Sequence, residues 1–207
     1  MKPKINKTTQ PIRSQSDRDA LKSYFWNRNL RDYALFVFGI YTGRRISDLV
    51  SMNVRDVAYI DKRSRFRIAE RFMIQERKTG KFIDLILHPS ARRALIKYLR
   101  SRLKGAPSLG AILNEPLFKS RKAGTDELHR LGQHQAWHVL CKAARECGLN
   151  YKIGTHSLRK TFGYLLYNAG TNIALIQKLL NHSSPEVTLA YIGITQDDMD
   201  EAVLSLD

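Results

Sequence analysis

Cysteine, acidic residues and long apolar runs are all scarce in this chain. Only two cysteines occur, Cys141 and Cys147. Their separation fits no common zinc-ligand pattern, and two thiols cannot make a disulfide framework. A reduced, cytosolic setting is the default for that composition. The longest apolar runs, such as residues 34–40 and 85–87, are far too short to cross a bilayer. The opening MKPKINKTTQ is basic but has no apolar core of the secretory-signal kind. No Gly-x-x-x-x-Gly-Lys-Ser/Thr segment exists to cradle a nucleotide phosphate. No His, Cys, Asp and Glu cluster has zinc-ligand spacing. The expected cofactor and metal content is therefore none.

Acids number 19 against 35 Lys plus Arg, a formal net charge of +16. Such an excess points to a polyanionic partner, nucleic acid ahead of an anionic membrane surface. The 207 residues are 43% hydrophobic, a globular composition with room for one substantial core or two small ones.

Periodicity and punctuation give a coarse map. Residues 1–11 read as a flexible basic arm ending at Pro11. Ser16, with Asp19 three residues on, reads as a capping box opening a helix. A strongly apolar helix is expected over residues 29–41, interrupted at Gly43 and resumed at Ile46. Residues 65–76 alternate partly with period two, Lys78 to Lys81 carry a turn signal, and residues 82–87 are β-rich. This predicts a hairpin, with a third strand near residues 57–60. Ser90 is the expected cap of a helix reaching Leu103. A loop follows over residues 104–114, then a polar stretch over 119–130. Further helices are predicted over 133–147, 158–168 and 173–180. Ser184 with Pro185 marks a cap and first helical position. A last helix follows Thr195. The expected fold class is mainly α with a small antiparallel β-sheet, that is, α+β.

Four segments could carry chemistry. Residues 42–49 read Thr-Gly-Arg-Arg-Ile-Ser-Asp-Leu, residues 77–81 read Arg-Lys-Thr-Gly-Lys, and residues 156–159 read His-Ser-Leu-Arg. The fourth begins at Leu180, includes His182, and ends nine residues after that histidine at Tyr191. Each alone has an ordinary reading: Arg45 as a solvated helix arginine, Lys78 as an exposed turn residue, His182 as a cap, Tyr191 as core. Together they supply what metal-free phosphoryl transfer needs. Arginine neutralises non-bridging oxygens bidentately; a nucleophile, a base and an acid complete the set.

The order and spacing of these segments resemble those of the tyrosine recombinases, the phage integrase family. Arg45 takes the arginine position of a Thr-Gly-x-Arg-Ile-Ser-Glu-Leu-like box. Lys78 takes the lysine position on the hairpin turn, with Lys81 as a near alternative. His156 and Arg159 match His-x-x-Arg, and Leu180, His182 and Tyr191 match the last box. The resemblance covers residues 12–192. Two positions depart from the pattern. Arg44 stands where an apolar residue is usual, which reads as an added DNA contact. Asp48 replaces the commoner Glu and is expected to support the arginine–histidine cluster from behind.

The resemblance implies a recombinase catalytic domain over residues 12–194 and a site-specific, integrase-type reaction through a 3′-phosphotyrosine at Tyr191. His156 would be the base, Arg45 and Arg159 the phosphate clamp, His182 a donor to phosphate, and Lys78 the acid for the leaving oxygen. The implied partners are double-stranded DNA and further copies of the chain, as a dimer or tetramer on DNA, with no membrane. The implied location is the cytoplasm, on the nucleoid. Residues 195–207 form a helix whose Met199, Val203 and Leu206 lie on one stripe, a candidate protomer contact. Type IB topoisomerase-like relaxation and a non-catalytic DNA-binding regulator remain as alternatives. Most family members carry an additional N-terminal clamp domain of ~100 residues, an ordinary small-domain size. This chain starts almost directly at the catalytic domain, as a naturally short member or a fragment would.

Overall fold

The computed structural model describes residues 8–104, 108, 110–120 and 130–206. Local chemistry sets most helix ends. α1 (Gln15–Arg28) is capped by Ser14, whose hydroxyl accepts from the Asp17 backbone N–H. The start expected at Ser16 therefore lies two residues earlier, because Ser14 stands in the same relation to Asp17 as Ser16 does to Asp19. Asn29 caps α2 (Leu30–Thr42) by accepting from the backbone of Arg31 and Asp32. The residues of α2 are buried almost all round, Leu35, Phe36, Phe38 and Ile40 among them. It is the central helix of the domain. α3 (Ile46–Ser51) follows Gly43, Arg44 and Arg45.

The strands form two separate antiparallel ladders, not the single three-stranded sheet expected. β1 (Ala58–Ile60) pairs with β2 (Phe66–Ile68), and β3 (Arg71–Gln75) with β4 (Phe82–Ile86). The chain changes partner at Ala69 and Glu70. The Ala69 N–H donates to Val57, whereas the Glu70 carbonyl accepts from Leu87. The single alternating run of the sequence is thus cut in two.

α4 (Pro89–Leu103) packs along α2. His88 caps it through Nδ1, accepting from the Ser90 N–H, so Ser90 lies inside the helix it was expected to cap. Pro89 at the first position has no N–H to leave unpaired. Most of the expected polar stretch, residues 121–129, lies outside the described residues.

α5 (Gln133–Glu146) leads to α6 (Thr155–Asn168), which begins three residues before the apolar pattern implied, because the polar Thr155, His156 and Ser157 form its first turn. Ser157 Oγ accepts from the Gly154 N–H at 3.1 Å and fixes that start. α7 (Ile173–Leu180) and α8 (Pro185–Ile192) close over α6. Ile176, Leu180 and Ile192 make a small second core, against which Phe162 and Tyr191 pack. Gly163 permits this closeness: a Cβ there would sit 2.6 Å from Ile192 Cγ2.

Residues 1–7 of the expected arm lie outside the described residues. Gln10 donates its N–H to Lys152, Ile12 donates to Thr161 Oγ1 at 2.8 Å, and Pro11 and Ile12 are buried. α9 (Gln196–Leu204) is capped by Thr195 in a capping box with Asp198. It leaves Met199 and Val203 exposed, and Leu206, expected on the same stripe, is exposed beyond the helix end because α9 stops at Leu204. Among the described residues, no helix is long and apolar enough to cross a membrane.

Candidate active site

Four chain segments meet at one buried carboxylate, Glu76. The geometry starts at the end of α2. Gly43 closes that helix in the left-handed region (φ 62°), where a side chain is strained. A Cβ there would also lie 2.3 Å from Phe162. Its carbonyl accepts from Arg159 Nη1 at 2.8 Å. The other terminal nitrogen of Arg159 donates to the Leu180 carbonyl. Arg159 is thereby fixed between the ends of α2 and α7.

Arg45 lies at the start of α3, with its side chain about 20% exposed. Its Nη1 is 2.9 Å from Glu76 Oε1, yet out of line for a hydrogen bond and without another partner. This donor is close to an anion but unspent. Arg44 is different. It is fully buried, bonds Thr42 and Leu179 carbonyls, and lies 3.3 Å from Glu76 Oε1. The reading of Arg44 as an added DNA contact is corrected: no surface remains for DNA to touch. Burial, then the Arg159 charge, lowers its pKa to about 10, far above neutrality.

Glu76 itself has no exposed side-chain surface. Arg159 Nη1 is 3.8 Å from the same Oε1. Oε2 accepts from Thr79 Oγ1 at 2.9 Å and from Asn181 Nδ2 at 3.1 Å. Burial by itself raises the Glu76 carboxyl. The Thr79 and Asn181 hydrogen bonds and the Arg45 and Arg44 charges together outweigh it, and hold Glu76 below the ordinary glutamate value. Sequence reading missed this residue. Its only signal was an acid at an inward position of an alternating strand, two residues before the turn lysine.

Asp48 is also fully buried, and its Oδ1 accepts from the Arg77 N–H at 3.1 Å. It therefore ties α3 to the hairpin turn, and Oδ2 has no partner. In that turn Lys78 is exposed, without a hydrogen bond or ion pair among the described residues. Lys81 instead donates to Asn181 Oδ1 at 3.2 Å.

His156 lies in the first turn of α6, three residues before Arg159 and so on the same helix face. Its Nδ1 is 3.5 Å from the Tyr191 hydroxyl. Burial, then the charges of Arg159, Lys160, Arg45 and Lys78, lower its pKa below 6.5. His182 rests edge-on against Tyr191, ring centres 4.8 Å apart. Its Nδ1 is 3.2 Å from Thr188 Oγ1, which spends its own proton on the Ser184 carbonyl. His182 Nδ1 must then be the donor, so the neutral ring carries no proton on Nε2. Burial and the Arg159 and Arg45 charges lower its pKa to about 4. Burial raises the Tyr191 phenol, opposed by Arg159 and Arg45.

All six expected catalytic side chains, from segments spread over the whole chain, thus belong to one face: Arg45, His156, Arg159, His182 and Tyr191 adjoin directly, with Lys78 on the turn beside them. That arrangement can clamp a phosphodiester and offer it a nucleophile with a base in reach. Proteins of this fold with this order of boxes are the phage integrases, and the profile of that family matches residues 17–197. The chain belongs to the phage integrase family, the tyrosine recombinases, which cleave and rejoin DNA. It is 38% identical over 188 residues to the probable integrase/recombinase YoeC of Bacillus subtilis, covering 91% of each chain. It is 31% identical to the tyrosine recombinase XerD of Corynebacterium glutamicum, covering 84% of this chain and 51% of that one. Its fold superposes on the XerH site-specific recombinase bound to its difH substrate with a TM-score of 0.68 at 18% identity, over 97% of this chain and 54% of the other. It therefore spans nearly the full length of YoeC but about half of the XerD and XerH chains.

Proposed function

We propose that this recombinase cleaves duplex DNA by attack of Tyr191 on the scissile phosphorus. The Tyr191 oxygen–phosphorus bond forms as the phosphorus–O5′ bond breaks, leaving a 3′-phosphotyrosine and a 5′-hydroxyl. His156 Nδ1 takes the phenolic proton, and the Lys78 ammonium protonates the departing O5′. Arg45, about 20% exposed, and Arg159, nearly buried in the free protein but hydrogen-bonded toward Tyr191, clamp the non-bridging oxygens and stabilise the charge that develops there. His182 becomes a donor to phosphate after taking up a proton at Nε2. The covalent link conserves the phosphodiester energy, so a 5′-hydroxyl of a partner duplex reverses the step. No nucleotide or metal enters this scheme.

The observation that carries the reading is the Tyr191–His156 contact at 3.5 Å beside two arginines. Apo geometry of this kind is commonly loose and tightens on substrate. The partner is double-stranded DNA, consistent with the charge of +16 and with the DNA-bound state of the XerH relative. Copies of the chain assemble on it as dimers or tetramers, in the cytoplasm on the nucleoid. The exposed stripe of α9 is the proposed contact between copies, with residues 12–194 as the catalytic domain.

A suicide DNA substrate tests the scheme. Denaturing gels should show a covalent protein–DNA band that Tyr191→Phe loses; a band that survives the substitution rejects the assignment. A two-site recombination assay run beside supercoil relaxation separates recombination from topoisomerase-like activity.

A further inference from the structure

Three guanidinium groups, from Arg44, Arg45 and Arg159, converge within 4 Å on Glu76 Oε1. The other oxygen of that carboxylate holds Thr79, next to Lys78, and Asn181, next to His182. Asn181 closes α7 in the left-handed region (φ 49°), a conformation asparagine takes more readily than other side-chain-bearing residues. Its side chain also accepts from Lys81. One buried anion therefore touches the arginine clamp, the lysine turn and the turn that leads to the nucleophile helix.

We propose that Glu76 is a positioning residue for strand cleavage. It is a fixed counter-ion behind the phosphate clamp, and it locks the Lys78 turn and the Asn181–His182 turn to the two arginines. The proposal rests on the catalytic reading above. Its physics has two opposed consequences. Glu76 pre-orients Arg45 and Arg159 before DNA arrives, which favours the transition state. It also cancels part of their charge, which weakens ground-state hold on the phosphate. Because it has no exposed surface, it cannot swing away to solvent when phosphate enters. Arg45 Nη1 is buried beside Glu76, so the incoming oxygen meets the remainder of a side chain that is about 20% exposed.

A merely structural carboxylate would lose binding and cleavage together. A counter-ion of this kind would separate them. Glu76→Gln in the full chain, on the nicked suicide substrate, should bind DNA more tightly by roughly tenfold at fixed salt. Its single-turnover cleavage at saturating DNA should fall by about tenfold or more. Thr79→Val cuts the bond to Glu76 and a 3.4 Å bond from the Lys81 N–H, both within the lysine turn, and, being on the surface, should leave folding intact. It should slow cleavage of the ordinary substrate and recover with a 5′-bridging phosphorothiolate, whose leaving sulfur needs no acid. Circular dichroism checks that both variants are folded; if Glu76→Gln unfolds, Thr79→Val still decides the coupling to Lys78.

Glu76→Gln with wild-type rate and affinity, or with both reduced in parallel in a folded protein, overturns the counter-ion role. Thr79→Val at the wild-type rate, or slow on oxygen and sulfur substrates alike, overturns the link to the lysine turn. Absence of any covalent band in the wild-type protein would instead reject the catalytic reading itself, so the two failures are distinct.

Discussion

The Tyr191 hydroxyl faces Nδ1 of His156 at 3.5 Å, although the two residues are 35 positions apart and lie on different helices. α6 carries the histidine and α8 the tyrosine, and Gly163 lets these helices close on each other. The proposed nucleophile is therefore held in cis, beside a proposed base that its surroundings keep neutral.

That neutrality sets a pH dependence. Burial and four nearby cations disfavour imidazolium, so the pKa of His156 is lowered from 6.5. The base is then unprotonated throughout the neutral range. Cleavage at saturating DNA, where pH-dependent affinity no longer limits the rate, should be flat around pH 7–8. It should fall only as pH drops through the lowered pKa, below 6.5. A His156→Ala variant should lose on the order of 10²–10⁴ in rate, the usual contribution of a positioned base. A wild-type rate still climbing steeply between pH 7 and 8 would count against His156 as the base.

His182 should titrate in the opposite sense. Its pKa of about 4 in the free protein rises when a phosphate anion replaces solvent, so binding takes up a proton. Affinity for DNA should grow as pH falls toward that of the bound histidine. Calorimetry in buffers of different ionisation enthalpy should register net proton uptake, and His182→Asn should reduce it. Uptake unchanged by that substitution would move the proton elsewhere.

Lys78 and Lys81 are separated by their contacts. Lys81 is tied to Asn181, whereas Lys78 is free to reach a leaving oxygen. Lys78→Ala should slow cleavage strongly and leave DNA affinity within a few-fold, as for loss of one surface cation. A 5′-bridging sulfur should restore the rate. Rescue of Lys81→Ala instead would transfer the acid role to Lys81.

Arg44 should matter to stability. Its guanidinium is fully buried against Glu76 and two carbonyls. Arg44→Met should lower the unfolding free energy by about 3 kcal/mol, the low end for breaking a buried pair, because Glu76 keeps two other arginines. Lys78→Ala should change it by less than about 0.5 kcal/mol. Urea denaturation measures both; equal, small effects would contradict the burial of Arg44.

Removal of residues 195–207 tests the tail. Arg13 bonds Asp198 and the Gly193 carbonyl, but Met199, Val203 and Leu206 are exposed. Truncation should leave monomer stability nearly intact while assembly on DNA and coordination between sites are lost. A truncated monomer that unfolds would mean the helix packs in cis; intact recombination would reject both roles.

Turns, apolar periods and the caps at Ser184 and Thr195 were readable because each depends on residues a few positions apart, whereas the starts expected at Ser16 and Ser90 fell two residues late because Ser14 and His88 do the capping. Asn29, Asn172, Ser184 and Thr195 cap helices where their side chains reach the next turn's N–H groups. The order of Arg45, Lys78, His156, Arg159, His182 and Tyr191 was equally open to inspection, since spacing along the chain is itself sequence. The sequence by itself thus determined the helical architecture, the basic charge and the six groups proposed to react. Tertiary structure alone decided what surrounds them. Whether Arg44 meets DNA or the interior depends on Glu76, 32 residues away. Whether Glu76 is a surface acid or a buried hub depends on Asn181, 105 residues away. Burial and electrostatic pairing are properties of neighbours in space, and neither hydrophobic period nor cap chemistry specifies which distant side chain will fill that space.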